Sequence, residues 1–193
     1  MLRLLSLAFV CAGFLICPNA LFAQWEEVPS YEWREAMQID SFQNRIFMLD
    51  DRGILYRSDN HGLRWKALQP GGSTLDEVEA FAGTGQVFLV YCASGDIWRS
   101  EDLGESWTLL IKTTPPLLNY TSSLVAVGGQ FFLSNASAAQ KLDAVTGQLT
   151  TVLSVPNSHI NLAVTGNEIW ATGVGAAPRM SPDLDKPGSV IPI

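Results

Sequence analysis

The 193-residue chain has few of the residues that usually build catalytic or metal sites. It contains three cysteines and two histidines, and Cys11 and Cys17 both lie in an apolar N-terminal segment. Beyond that segment only Cys92 remains, so that part of the chain cannot form an internal disulfide. His61 and His159 are isolated and match no helical His-x-x-x-His metal motif. We therefore expect no metal and no cofactor, and a buried core role for Cys92 within the apolar run 87–92.

Basic residues are also scarce. Of the 12 Lys and Arg residues, Arg3 lies in the N-terminal segment, so the remainder has 11 basic and 19 acidic residues and a net charge of −8. This balance argues against nucleic acid as a partner, because the phosphate backbone requires a basic surface. No Gly-x-Ser-x-Gly nucleophile motif occurs. The Gly-x-Gly sequences at 83–85 and 173–175 predict strand turns rather than phosphate loops, because no helical pattern follows them.

Long apolar runs are absent except at the N-terminus. Arg3 precedes the uncharged run Leu4–Ile16, and Ala23 provides a small residue before Gln24. These features predict a secretory signal peptide over residues 1–23, cleaved near Ala23/Gln24, and a secreted or periplasmic protein. An N-terminal membrane anchor is the alternative, but the run is shorter than the roughly 20 residues of a spanning helix, and Pro18 lies close to its end. We expect no membrane insertion after cleavage.

A repeated eight-residue segment is the main feature of the remaining chain. Residues 58–65 read Ser-Asp-Asn-His-Gly-Leu-Arg-Trp, and residues 100–107 read Ser-Glu-Asp-Leu-Gly-Glu-Ser-Trp, 42 positions later. We call these the first and second copies. Short strand candidates rich in Val, Phe, Tyr and Trp flank each copy, and no segment has a long helical period. The pattern predicts antiparallel strands and almost no helix.

The repeat extends over the whole predicted domain, residues 24–193. First-strand candidates occur at Ala36–Ser41, Val78–Gly83, Ser123–Gly128 and Ile160–Thr165. They define four units, at approximately 36–70, 78–113, 123–155 and 160–193. The third unit aligns Gly129-Gln130 with Gly85-Gln86, and residues 143–149 occupy the place of the repeated segment without its Trp. Four strands in about 40 residues is typical of a β-propeller blade, so we predict an all-β propeller of about four blades.

The small number of units leaves the closure of the propeller open. Residues 25–28 resemble the outer strand that follows the second copy, and residues 189–193 compete for the same outer position in the fourth unit. Three arrangements are compatible with the sequence. The four blades form a ring, the chain is the N-terminal part of a larger propeller, or two chains pair to complete one.

The pattern Ser-x-Asp-x-Gly-x-Ser/Thr-Trp resembles the Asp-box, or BNR repeat, of sialidases, sortilin-like receptors and propellers similar to the photosystem II stability and assembly factor. The second copy matches every defined position, whereas Asn60 and Arg64 depart from the pattern in the first. The resemblance implies a structural turn between third and fourth strands. Its residues here are Ser58, Asn60, Gly62, Trp65, Ser100, Asp102, Gly104 and Trp107.

Each of these residue types has a structural role to play in such a turn. Asp102 and Asn60 can accept hydrogen bonds from turn amides, and the two glycines can supply a positive φ. The two tryptophans can pack as apolar anchors. A Ca²⁺ site at Asp102 and Glu101 is the alternative, but Ca²⁺ takes six to eight oxygen ligands and this segment offers few.

The resemblance to sialidases raises the question of catalysis. Those enzymes need clustered arginines for the substrate carboxylate and a Tyr nucleophile with a Glu partner. Arg45-Ile46-Phe47, Tyr120 and Glu168 could be proposed for these roles, but nothing in their spacing requires it. We assign no catalytic residue. The leading hypothesis is a non-catalytic scaffold that binds a protein or glycan through its loops. The alternatives are a sialidase-like glycoside hydrolase and an assembly or stability factor for a membrane protein complex.

Overall fold

A computed structural model describes residues 35–72, 77–112, 123–134, 137–154, 160–173, 176–181 and 191–192 of the chain, with side chains as far as residue 172. All of them belong to one compact unit, residues 32–193. Within these ranges the chain forms strands and one short 3-10 segment, Pro70–Gly72, and no α-helix. No helix in this part of the chain has both the length and the apolar character needed to cross a membrane.

The strands group into four sheets of four. In chain order they are β1 (Ala36–Phe42), β2 (Arg45–Asp50), β3 (Leu55–Ser58), β4 (Lys66–Leu68), β5 (Val78–Thr84), β6 (Val87–Cys92), β7 (Ile97–Ser100), β8 (Thr108–Ile111), β9 (Leu124–Val127), β10 (Gln130–Ser134), β11 (Ala138–Leu142), β12 (Leu149–Ser154), β13 (Ile160–Thr165), β14 (Glu168–Gly173), β15 (Ala176–Ser181) and β16 (Ile191–Pro192). Each sheet is an antiparallel meander of four consecutive strands. The all-β prediction with four repeating units is confirmed.

The hairpin that opens each sheet has a two-residue turn. In the first sheet Phe42 pairs with Arg45, and Gln43 and Asn44 both have positive φ, as short hairpin turns require. The corresponding pairs are Thr84 with Val87 and Val127 with Gln130. The alignment of Gly129-Gln130 with Gly85-Gln86 is therefore wrong by one residue, because Gln130 belongs to a strand. A one-residue shift reverses which face each side chain occupies.

The core consists of three hydrophobic clusters, each between two consecutive sheets. The first joins Phe47 and Leu55 of the first sheet to Phe88 of the second, with the Phe47 and Phe88 ring centroids 4.4 Å apart. Cys92 is fully buried in the same cluster. The second cluster joins the second and third sheets, and the third joins the third and fourth. Inner strands follow the same order, with β1 against β5, β5 against β9 and β9 against β13.

The outer position of the fourth sheet belongs to the C-terminal segment. Ile191 of β16 pairs with Met180 of β15, which agrees with the proposal that residues 189–193 supply this strand. The competing segment, residues 25–28, and the predicted signal peptide lie outside the described residues.

Candidate functional site

The second copy forms the turn between β7 and β8, and a buried serine organises it. The Ser100 hydroxyl accepts hydrogen bonds from the backbone N–H of Gly104 at 2.8 Å and of Asp102 at 3.3 Å, and donates to Asp102 Oδ1 at 2.8 Å. Ser100 is 1% exposed, so these bonds satisfy groups that have lost contact with water. The sequence assigned no individual role to this serine, although its recurrence at position 58 was a signal.

Asp102 holds the far side of the same turn. Its Oδ1 accepts the N–H of Ser106 at 2.8 Å, and its Oδ2 accepts the Ser106 hydroxyl at 2.5 Å. Partial desolvation raises the pKa of Asp102, but the hydrogen bonds from Ser106 and Ser100 outweigh it and lower the pKa to about 2. The carboxylate is therefore ionised at neutral pH and acts as a hydrogen-bond acceptor for the turn.

The first copy, between β3 and β4, repeats this geometry without the charge. Asn60 Oδ1 accepts the N–H of Arg64 at 2.8 Å and the Ser58 hydroxyl at 3.0 Å. The Ser58 hydroxyl in turn accepts the N–H of Gly62 at 2.8 Å. Arg64 stands where the second copy has Ser106, whose hydroxyl donates to Asp102. The first turn therefore lacks this side-chain hydrogen bond.

Both glycines have the positive φ that the turn geometry requires, +86° at Gly62 and +91° at Gly104. The residue before each glycine also has a positive φ, 58° at His61 and 61° at Leu103. Non-glycine residues rarely adopt this conformation. Two adjacent residues in this region make the turn tight, and the sequence pattern indicated only the glycine.

The second copy also binds the first sheet. Arg57 on β3 donates through Nη1 to the carbonyl oxygen of Leu103 at 2.7 Å and through Nη2 to Glu105 Oε1 at 2.7 Å. Lys66 on β4 lies 2.6 Å from Glu105 Oε2. Arg57 also pairs with Asp59 at 3.0 Å, and its side chain is only 8% exposed. The segment therefore fastens one sheet to the next as well as closing its own hairpin.

The third unit keeps an acidic turn between β11 and β12. Asp143 Oδ1 accepts the N–H groups of Val145 and Thr146, both at 2.8 Å, and these bonds lower the pKa of Asp143. Gly147 has φ of +74°, and a Cβ added there would lie 2.9 Å from the carbonyl oxygen of Leu110. The turn therefore touches β8 of the preceding sheet, as the second copy touches the first.

The antiparallel topology places these turns at one end of the sheets. Loops in a meander alternate between the two ends, so the first hairpin and the repeated segments share one end. The opposite end carries the β2–β3 and β6–β7 turns. Asp50 is 2% exposed in the first of these turns, where Oδ1 accepts the N–H of Ile54 at 2.8 Å and Oδ2 lies 3.4 Å from the Tyr56 hydroxyl.

This opposite end is acidic in its described part. Glu35, Asp51 and Glu77 are exposed there and Asp96 is half-buried, whereas Arg52 is the nearby cation on the first of these turns. A backbone hydrogen bond joins the β2–β3 turn to the residue before β1: the N–H of Asp51 donates to the carbonyl oxygen of Glu35 at 3.1 Å. Among the described residues no group of three or more His, Cys, Asp or Glu side chains is placed to hold a metal ion.

Arg45, which the resemblance to sialidases brought forward, binds an acidic group of the chain itself, and so do Arg57 and Arg99. Arg45 Nε lies 2.8 Å from Asp59 Oδ1, on the carboxylate that Arg57 also binds. Arg99 pairs with Glu101. Glu168 is half-buried on β14, and Tyr120 lies outside the described residues. Arg45, Arg57 and Arg99 thus lie at the repeated turns, where they make structural ion pairs.

No protein-family model matches the chain. No curated protein matches it either.

Solved structures resemble the fold. YCF48 from Cyanidioschyzon merolae is 14% identical with a TM-score of 0.53, covering 80% of this chain and 57% of that one. YCF48 bound to D1 peptide is 14% identical with a TM-score of 0.57, covering 86% and 60%. The computationally designed Ika4 protein is 14% identical with a TM-score of 0.58, covering 82% and 98%.

These similarities establish the fold alone. They confirm a β-propeller architecture with about four blades, each blade being one of the four sheets. The chain spans little more than half the length of the two YCF48 structures.

Proposed function

We propose that this chain is a non-catalytic propeller scaffold that binds a protein partner and supports the assembly of a larger complex. The observation that carries the proposal is the similarity in fold to YCF48, which has been solved bound to D1 peptide. Arg45, Arg57 and Arg99 also favour a scaffold, because each pairs with an acidic group of the chain.

We assign partner binding to the end that carries the β2–β3 and β6–β7 turns. The other end is occupied by internal contacts, since Ser100, Asp102 and Glu105 all bond within the turn or to the first sheet. The chosen end carries the described turns β2–β3 and β6–β7, and rigid scaffolds commonly bind through such loops. Its exposed Asp51 and Glu77 favour a basic segment of the partner through charge complementarity.

Affinity capture from the host envelope tests this proposal. We expect the intact protein to retain a specific protein, and the double variant Asp51→Lys with Glu77→Lys to bind it about tenfold more weakly or worse, because two attractive charges become repulsive. Glu101→Lys is the matched control, an exposed acid at the opposite end. Equal binding by the double variant and the control would refute the assignment of the end. Retention of glycans with no protein would refute a protein partner.

Two finer points belong to the same proposal. We infer that the turn segments are of the Asp-box type, supported by the shared roles of Ser, Asp or Asn, and Gly in both copies. We also infer export, supported by the sequence features of residues 1–23. Mass spectrometry of the protein recovered from the host should give a chain that begins at Gln24. An uncleaved N-terminus would contradict export by this route.

A further inference from the structure

The four sheets pack front to back in a repeated way. The second sheet presents Phe81, Phe88 and Val90 to the first sheet, and all three are at most 1% exposed. The third sheet presents Phe131 and Leu133 to the second in the same manner. We call the face that a sheet presents to its predecessor its front, and the opposite face its back. In both sheets the front is apolar because another sheet covers it.

The first sheet has a partly apolar front, and no other described sheet packs against it, although Asp50 and Tyr56 at one end of this face are buried. Strand pairing puts Phe81, Val90 and Trp98 in one row of the second sheet. The matching row of the first sheet, 42 residues earlier, contains Ile39, Met48 and Tyr56. Ile39 is 62% exposed, whereas Phe81 at the equivalent position is 1% exposed.

Neighbouring positions show the same contrast. Ile46 and Met48 are half-buried, whereas Phe88 and Val90 at their equivalent positions are fully buried. Tyr56 does not follow this contrast, since it is 6% exposed and its equivalent Trp98 is half-buried. We refer to Ile39, Ile46 and Met48 as the open front.

The first copy, which forms the turn at the edge of the open front, differs from the second copy in its contacts. In the second copy Glu105 reaches back to Arg57 of the preceding sheet. The equivalent residue of the first copy is Leu63, which is 70% exposed. His61 is also exposed, whereas its equivalent Leu103 packs against the first core cluster. An exposed leucine therefore occupies the position from which the second copy contacts its neighbouring sheet.

The back of the fourth sheet is the complementary surface in the same chain. Ala82 and Leu89 form part of the back of the second sheet, where the third sheet buries them to 4% and 0% exposure. Hairpin register makes Ala163 and Trp170 their equivalents in the fourth sheet. Ala163 is exposed and Trp170 is half-buried. Among the described strands, β1 and β13 do not pack along each other as β5 and β9 do.

We propose that the open front binds the back of the fourth sheet of a second copy of this chain. This contact would continue the front-to-back packing that already joins the sheets within one chain. Applied twice by a two-fold axis, it buries both uncovered faces and brings eight sheets together, within the range of four to eight blades in known propellers. Exposed Ile39 and Leu63 would then lie at an interface, which accounts for large apolar side chains on the surface.

Multi-angle light scattering and sedimentation of the purified protein test the proposal. We expect a mass twice that of one chain. Ile39→Asp should raise the dimer Kd at least about tenfold, because a carboxylate would be buried without a partner. It should leave the fold of each copy intact, since Ile39 is exposed in the single chain. Val145→Asp is the matched control, because Val145 is a 79% exposed apolar residue in the turn between β11 and β12, away from both faces.

A disulfide experiment tests the front-to-back geometry. A mixture of Ile39→Cys and Ala163→Cys chains should form a mixed disulfide dimer under mild oxidation, and Ile39→Cys alone should not. A monomer at about 100 μM, well above a micromolar Kd, would overturn the proposal. So would a dimer that Ile39→Asp and Val145→Asp affect equally, or cross-linking of Ile39→Cys chains to each other. Cross-linking at position 39 to a different protein from the host would overturn it too, since another partner would then cover the face.

Discussion

Replacing Gly104 by alanine should destabilise the protein more than the same change at Gly62. The two glycines occupy the same place in the two copies and have nearly the same φ, +91° and +86°. Alanine in a left-handed conformation costs about 1–2 kcal/mol, so this strain is common to both variants. The sites differ in what a new Cβ meets. At Gly62 the nearest atom is Trp65 Cζ2 at 3.7 Å, an ordinary contact, whereas at Gly104 it is Leu68 Cδ1 at 2.6 Å.

The added cost at Gly104 is overpacking between two sheets. Leu68 is 4% exposed in the first core cluster, so its side chain has little room to move away. Overpacking of a core costs about 1–3 kcal/mol. We therefore expect Gly62→Ala to lower the free energy of unfolding by about 1–2 kcal/mol and Gly104→Ala by about 2–5 kcal/mol. Gly85→Ala isolates the strain, because φ there is +60° and no atom lies within 4 Å.

Urea unfolding followed by tryptophan fluorescence and circular dichroism measures these differences. The midpoint should fall by a similar amount in Gly85→Ala and Gly62→Ala and by more in Gly104→Ala, with unchanged slopes. In the double variant with Leu68→Ala, the loss should be smaller than the sum of the single losses, because the clashing methyl group is gone. Equal losses at Gly62 and Gly104, or strict additivity with Leu68→Ala, would refute the idea that the second turn packs tightly on the first sheet.

Three further predictions concern the same turns. Asp102→Asn should remove an acid-sensitive stabilisation: the folded-state pKa of about 2 is below the usual 3.8, so this contribution is present above about pH 4 and lost towards pH 2. Its size is about 1 kcal/mol at most, since solvent screens this exposed carboxylate, and urea unfolding between those pH values checks it. Arg57→Ala should lower the free energy of unfolding by about 1.5–3 kcal/mol, because it removes charged hydrogen bonds between the first and second sheets. A loss under about 0.5 kcal/mol in the same assay would contradict a role for Arg57 in joining the two sheets. Trp107→Ala should cost about 3–5 kcal/mol, because its ring packs on the first core cluster, 5.9 Å from that of Phe88. Trp65→Ala should cost less, because Trp65 packs on none of the three clusters of the described residues. Equal losses in thermal melts would argue against this asymmetry.

The arrangement of strands could be predicted because it depends on local patterns. Predicted first strands at residues 36, 78 and 160 begin where the structure begins them, and the predicted strand at 123 begins one residue later. Alternating apolar residues between turn residues specify a strand and its two faces almost independently of the rest of the chain. The third unit was the exception, since its glycine pair at 128–129 allows two alignments that differ by one residue.

The candidate site was less predictable. The sequence identified Asp102 and both glycines as turn residues, because these residue types have strong local preferences. It did not identify Ser100 as the buried acceptor in the turn, since a serine has no comparably strong signal. It also assigned no partner to Arg57, because Glu105 lies 48 positions away. No local pattern connects such residues, and only the packing of two sheets brings them together.

The sequence by itself determined the all-β architecture, the four units and the position of the repeated turns, because strand alternation and turn chemistry act within a few residues. The tertiary structure decided how the units meet. It assigned the outer position of the fourth sheet to β16, turned the second copy into a fastener between sheets, and left Ile39 exposed where Phe81 is buried. Two equivalent apolar positions in a repeat look alike in sequence. Whether each is core or surface depends on the presence of a neighbouring sheet, which local patterns do not encode.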